Sequence, residues 1–155
     1  MDSNNILSKM STMRLDGMYS LYKNMIGSGQ CDAITNEELL TMLINAEWDN
    51  RENNRVERAL KEAKFRYQAA IENIRYDDDR GLDKSQIIRL SDCSYITQAK
   101  NILITGFTGT GKSYLASAFG HQACYNGYKV MYQNAQKLFA KLKNAKADDT
   151  YSKLI

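Results

Sequence analysis

No proline occurs among the 155 residues of the chain, so no helix in it is forced to break by a missing amide donor. A single histidine, His121, rules out histidine-rich metal sites and leaves little room for a Ser-His-Asp triad. The three cysteines, Cys31, Cys93 and Cys124, lack metal-ligand spacing, and an odd number is a poor disulfide framework. They read as free thiols in a reducing cytoplasm. No apolar run approaches the roughly 20 residues needed to cross a bilayer. The segment from Met1 to Asn5 has neither the basic start nor the apolar core of a secretion signal. The expectation is a cytoplasmic protein with no membrane partner.

What is present is ordinary for a soluble chain: 43% hydrophobic and 25% charged residues. The net charge of +3 conceals an asymmetry. Residues 1–99 carry 13 Lys/Arg and 16 Asp/Glu, whereas residues 100–155 carry 8 Lys and 2 Asp, so the two parts stand at −3 and +6. A basic second part suits a polyanionic ligand.

The apolar period changes near Lys100. Before it, Ile6, Met10, Met13, Met18, Leu21 and Met25 recur at helical spacing up to the Gly27 to Gly29 stretch. Thr35 and Glu38 form a capping box that opens a long helix from Glu37 to about Phe65. Ala69 to Ile74 predicts a short turn or helix, Asp77 to Gly81 a solvated loop, and Asp83 the cap of another helix. After Lys100 the pattern alternates. Asn101–Thr105 and Tyr128–Tyr132 are compact enough for buried strands, and Lys112–Asn126 and Ala135–Ala145 for helices. The fold class expected is therefore α/β. A helical module (residues 1–97) precedes the start of a parallel-sheet nucleotide-binding domain (98–155). Two strands do not complete such a sheet, so the chain reads as truncated.

Between the first strand candidate and its helix lie Gly106, Phe107, Thr108, Gly109, Thr110, Gly111, Lys112 and Ser113, matching the phosphate-loop pattern at every fixed position. Glycines at 106, 109 and 111 let successive amides turn inward around phosphate oxygens. The helix start adds unpaired N–H groups and the positive end of its dipole. Lys112 would reach the β- and γ-phosphates, and Ser113 would place its hydroxyl on Mg²⁺. The expected ligand is ATP with Mg²⁺. Hydrolysis further requires an acidic residue at the end of another strand. Asp148 and Asp149 are the only carboxylates after the loop, and they follow no apolar strand. No arginine follows Arg89, so this segment has no arginine finger. No catalytic residue is assigned.

The stretch from Leu43 to Arg55, the run Arg80 to Asp83 with the helix after it, and the segment Asn101 to Ser113 together resemble the IstB-like transposition helper ATPases. The likeness extends over essentially all of the chain, and Ala46 to Arg55 is its most discriminating part. The resemblance implies an AAA+ ATPase of an insertion sequence, related to DnaC-like helicase loaders. Such a protein assembles with itself on DNA in the presence of ATP and delivers the target to a transposase. It also implies that Gly106 to Ser113 is the nucleotide loop.

On the long helix, Arg51, Arg55, Arg58 and Lys61 recur at spacings of four, three and three, a stripe able to neutralise DNA phosphates. The alternative is a solvated face laced with Glu47–Arg51, Glu57–Lys61 and Glu62–Arg66 pairs. Trp48 reads as packed between helices, with stacking on a base or partner as the alternative. His121 reads as a partly buried packing residue. The ten tyrosines read as core and interface residues. Competing functions are a helicase loader, a non-catalytic remnant that binds DNA or an oligomer, and a small-molecule kinase. A kinase usually carries its phosphate loop near the N-terminus. A GTPase is disfavoured by the lack of an Asn-Lys-x-Asp motif.

Overall fold

Three helix starts among the described residues are set by side chains that bond first-turn amides. The computed structural model describes residues 3–29, 34–76 and 81–148. Thr35 Oγ1 accepts from the Glu38 amide at 3.3 Å while Glu38 Oε2 accepts from the Thr35 amide at 2.9 Å, so the capping box forms as read. Asp83 accepts from the Ser85 amide at 2.8 Å, and Asn134 accepts from the amides of Gln136 and Lys137. Each contact satisfies a donor that the helix itself leaves unpaired.

The chain divides into two compact units, Met1–Arg58 and Ala59–Ile155. The first contains α1 (Ser3–Thr12), α2 (Asp16–Ser28) and most of α3 (Asn36–Ala63). The apolar period that runs through residues 6–25 is interrupted at Arg14, whose φ of 58° separates α1 from α2. Gly29 closes α2 in the left-handed conformation, with φ of 68°. Buried Glu47 joins α3 to α2. Its carboxylate accepts from the Gly17 amide at 2.9 Å, the Met18 amide at 3.4 Å and Arg51 Nε at 2.7 Å. It thereby caps the start of α2 from thirty residues away in sequence. Gly17 has to be glycine, since a β-carbon there would lie 2.8 Å from the Glu47 Cα and closer still to the Ala46 carbonyl oxygen. Burial pushes the Glu47 carboxyl up, but the hydrogen bond from Arg51, the two α2 amides and the Arg51 charge prevail and hold it below its ordinary value.

The second unit holds a 3₁₀ turn (Ile71–Asn73), α4 (Lys84–Ser91), α5 (Ser94–Thr97), α6 (Lys112–Tyr125) and α7 (Ala135–Ala147). Its core joins Ala69, Ile74, Ile87, Leu115, Ala118 and Phe119. Helix α6 is central to it, with Leu115, Ala118 and Phe119 facing the 3₁₀ turn and α4. Cys93 and Cys124 are both buried free thiols, and Cys31 lies outside the described residues.

The α/β expectation is overturned. Among the described residues there is no strand, so the start of a parallel sheet is absent and the architecture is helical. Asn101–Thr105 and Tyr128–Tyr132 do show burial alternating with period two: Ile102, Ile104, Tyr128, Val130 and Tyr132 are half-buried, and Leu103 and Met131 are exposed. A strand also needs a ladder of backbone partners. The Tyr132 amide donates instead to the Ala63 carbonyl, in the last turn of α3, at 3.0 Å. Apolar alternation gave these segments a strand's side-chain pattern without a strand's pairing. No helix among the described residues is long and apolar enough to cross a membrane.

Candidate functional site

The segment from Gly106 to Ser113 ends in the first turn of α6. Gly106, Gly109 and Gly111 take φ values of 151°, 85° and 89°, a region closed to most residues with a β-carbon. Gly111 occupies the helix cap position with no side chain to bond the first amides of α6. The opening N–H groups of the helix, beside its positive dipole end, are thus available to an anion. Inside the loop, Thr110 Oγ1 donates to the Phe107 carbonyl oxygen at 2.9 Å, and Lys112 Nζ donates to the same oxygen. The loop residues from 106 to 110 are exposed, Phe107 at 88%. Farther along α6, Ser117 Oγ donates to the Ser113 carbonyl at 2.8 Å.

A cavity of about 530 Å³ opens beside this loop. One wall is the loop with Lys112, and the other is apolar, with Ile74, Leu82, Tyr114 and Leu115; Asn73 and Arg75 add polar groups. The size is that of a small-molecule site. Sequence reading singled out the glycine-rich loop but not Asn73, Ile74, Arg75 and Leu82, which line the cavity from 24 to 33 positions before Gly106. Nothing local in the sequence tied Ile74 or Leu82 to the loop.

The other candidate residues lie elsewhere. Arg51, Arg55, Arg58 and Lys61 are all exposed on α3. Arg51 pairs with Glu47 at 2.7 Å, Arg55 with Glu52 at 2.8 Å, and Arg58 Nε donates to the Asn54 carbonyl at 3.1 Å. Arg66 falls past the end of α3 and stands over the Tyr67 ring at 5.3 Å. Trp48 is 66% exposed, so its reading as a residue packed between helices is corrected. Its neighbour Glu47 takes the inward position. His121 stacks on Phe65 with ring centroids 4.3 Å apart, and its Nε2 is buried without a hydrogen-bond partner. Burial lowers its pKa, against a hydrogen bond to the Tyr67 backbone that raises it. Asp148 is an exposed residue at the end of α7, and Asp149 lies outside the described residues.

Residues 8–155 match the family model of the IstB-like ATP binding protein. A Sinorhizobium fredii protein named as insertion sequence ATP-binding protein y4pL is 36% identical over 148 residues, covering 96% of this chain and 60% of the relative. The insertion sequence IS1162 ATP-binding protein of Pseudomonas fluorescens is 33% identical over 150 residues, covering 96% of this chain and 65% of the relative. The insertion sequence IS21 ATP-binding protein of Pseudomonas aeruginosa is 23% identical over 140 residues, or 90% and 53% of the two chains. The chain thus spans about 53–65% of the length of these relatives. With a family match over nearly its whole length, the chain belongs to the IstB-like ATP binding protein family.

Proposed function

We propose that the chain binds ATP with Mg²⁺ through Gly106 to Ser113, and that the whole protein acts as a DNA-transposition helper. The observation that carries the nucleotide reading is the loop itself: three glycines at positive φ lead into an uncapped helix start beside a cavity of about 530 Å³. A β-carbon at Gly106 would lie 3.2 Å from Thr110 Oγ1, and its φ of 151° is rarely adopted by residues with a side chain, so glycine there keeps the loop in this conformation. Lys112 would exchange the Phe107 carbonyl for phosphate, Ser113 would hold Mg²⁺, and the apolar wall of Ile74, Leu82 and Tyr114 would cover the base. Bound Mg²⁺ supplies charge that bridges and neutralises the phosphates. On this reading residues 98–155 carry the phosphate loop, and residues 1–97 form a helical module that contributes Asn73, Ile74, Arg75 and Leu82 to the same cavity.

The insertion-sequence names of the relatives support the transposition setting over a replicative helicase loader. Target DNA, a transposase and other copies of the protein are the partners proposed, with Arg51, Arg55, Arg58 and Lys61 as the DNA contacts. Calorimetric titration of Mg-ATP tests the nucleotide assignment. Lys112→Ala is expected to weaken binding by about 2–3 kcal/mol, the scale of a hydrogen bond to a charged group. Equal affinity in the wild type and the variant would remove Lys112 from the site.

A further inference from the structure

Two side chains and one amide converge on a single oxygen of the phosphate loop. The Phe107 carbonyl accepts from Thr110 Oγ1 at 2.9 Å, from Lys112 Nζ, and at 3.4 Å from the Thr110 amide. The amide contact is the longest and closes a turn over residues 107–110. The two side-chain donors match the two lone pairs that a backbone carbonyl offers. Gly106 leaves the space for both of them. The β-carbon it lacks would sit 3.2 Å from the same Thr110 hydroxyl and 3.9 Å from Lys112 Cδ. Thr110 stands at a position that the phosphate-loop pattern leaves open, so the pattern itself calls for no hydroxyl there.

We propose that Thr110 is a positioning residue for the nucleotide: its hydroxyl holds the Phe107 carbonyl in place once Lys112 has left that oxygen for the phosphates. The inference rests on the reading of Gly106 to Ser113 as the nucleotide loop and assigns a role to one side chain within it. Before binding, the carbonyl has two side-chain donors, and the loss of either leaves the other. After binding, Thr110 is the side-chain donor that stays. The loop is exposed, so water can replace a lost donor. Water cannot fix the turn over residues 107–110, and that turn aims the amides of Gly109 and Gly111 at an anion. A loop already held in its binding shape loses less freedom when the ligand arrives. Thr110 therefore contributes more to the bound loop than to the empty one, and the difference appears as affinity. Valine in its place keeps the branched shape and removes the donor, whereas serine keeps the hydroxyl.

A double-mutant cycle on the full chain, titrated with Mg-ATP, tests whether Thr110 acts through this exchange. Thr110→Val should weaken binding by about three- to tenfold, the scale of one net hydrogen bond, and Thr110→Ser should bind as the wild type does. In a Lys112→Ala background the Phe107 carbonyl depends on Thr110 in the empty and the bound loop alike. Thr110→Val should there cost less than about 1.5-fold. An equal loss in both backgrounds would overturn the proposal, because Thr110 would then act independently of Lys112. Wild-type affinity in Thr110→Val, or a Thr110→Ser variant as weak as Thr110→Val, would overturn it too. A measurement without ligand separates this inference from the nucleotide assignment. The carbonyl-carbon NMR resonance of Phe107 should move in Thr110→Val and in Lys112→Ala and hold its place in Thr110→Ser. A resonance that ignores the first two substitutions refutes the shared carbonyl, whatever the chain binds. A wild type that takes up no Mg-ATP while the resonance still responds overturns the nucleotide reading and, with it, the positioning role.

Discussion

Glu47 is the residue through which the first unit is most open to a quantitative test. Its carboxylate is almost fully buried, at 6% exposure, and holds two α2 amides and the Arg51 guanidinium. Glu47→Gln keeps the shape and one carbonyl oxygen but removes the charge. The charge-assisted bonds to Arg51 and to the helix start are then lost or weakened, at a cost of about 1.5–3 kcal/mol. For a chain of this length each kcal/mol lowers the midpoint by roughly 2–4 °C, so a drop of roughly 3–12 °C is expected, followed by circular dichroism. The pH dependence carries the sign. The folded-state pKa lies below the ordinary value of 4.5, so the ionised carboxylate contributes stability above that value. The contribution is lost as pH falls through the lower folded-state pKa. Wild type should therefore lose stability on acidification through this window, and Glu47→Gln should lose less of it. A loss at neutral pH below about 0.5 kcal/mol, or parallel pH profiles, would refute the reasoning.

Two further outcomes follow from the positions of the charged residues. Replacing Arg55 and Arg58 by alanine should weaken DNA binding by the full-length protein uniformly across sequences and flatten its salt slope by roughly 1.8, or 0.9 per phosphate contact. An unchanged affinity and slope would make these arginines a solvated face. Steady-state phosphate release by the present chain should be negligible. Its carboxylates after the loop are confined to Asp148 and Asp149, and Asp148 is an exposed residue ending α7. Turnover that Lys112→Ala abolishes would show that another group supplies the acidic role.

Local chemistry was legible and long-range chemistry was not. Thr35 with Glu38, Asp83 ahead of Ser85 and Gly29 after α2 act within a few residues, and each takes the place its sequence neighbours indicate. The positive φ values at Gly106, Gly109 and Gly111 belong to the same class. Glu47 was read only as the partner of Arg51, four residues on; its bond to Gly17 spans thirty residues and leaves no periodic trace. Trp48 was assigned inward on hydrophobicity, yet the capping demand of α2 turns Glu47 in and leaves Trp48 out. The two pentapeptides were read as strands because they are short, compact apolar runs, whereas pairing depends on which backbone lies alongside. The short helix α5 escaped notice because its cap, Cys93, is a non-glycine residue in the left-handed conformation, with φ of 61°.

The amide resonances of the phosphate loop, followed by two-dimensional NMR during titration with Mg-ATP, test the nucleotide site most directly. The largest shifts are expected at Gly109, Gly111, Lys112 and Ser113, whose amides surround the start of α6. Smaller shifts should reach Ile74 and Leu82 across the cavity, and chelating Mg²⁺ should reverse the change at Ser113 first. Saturable binding that leaves those four amides unmoved while shifting residues elsewhere would contradict the assignment.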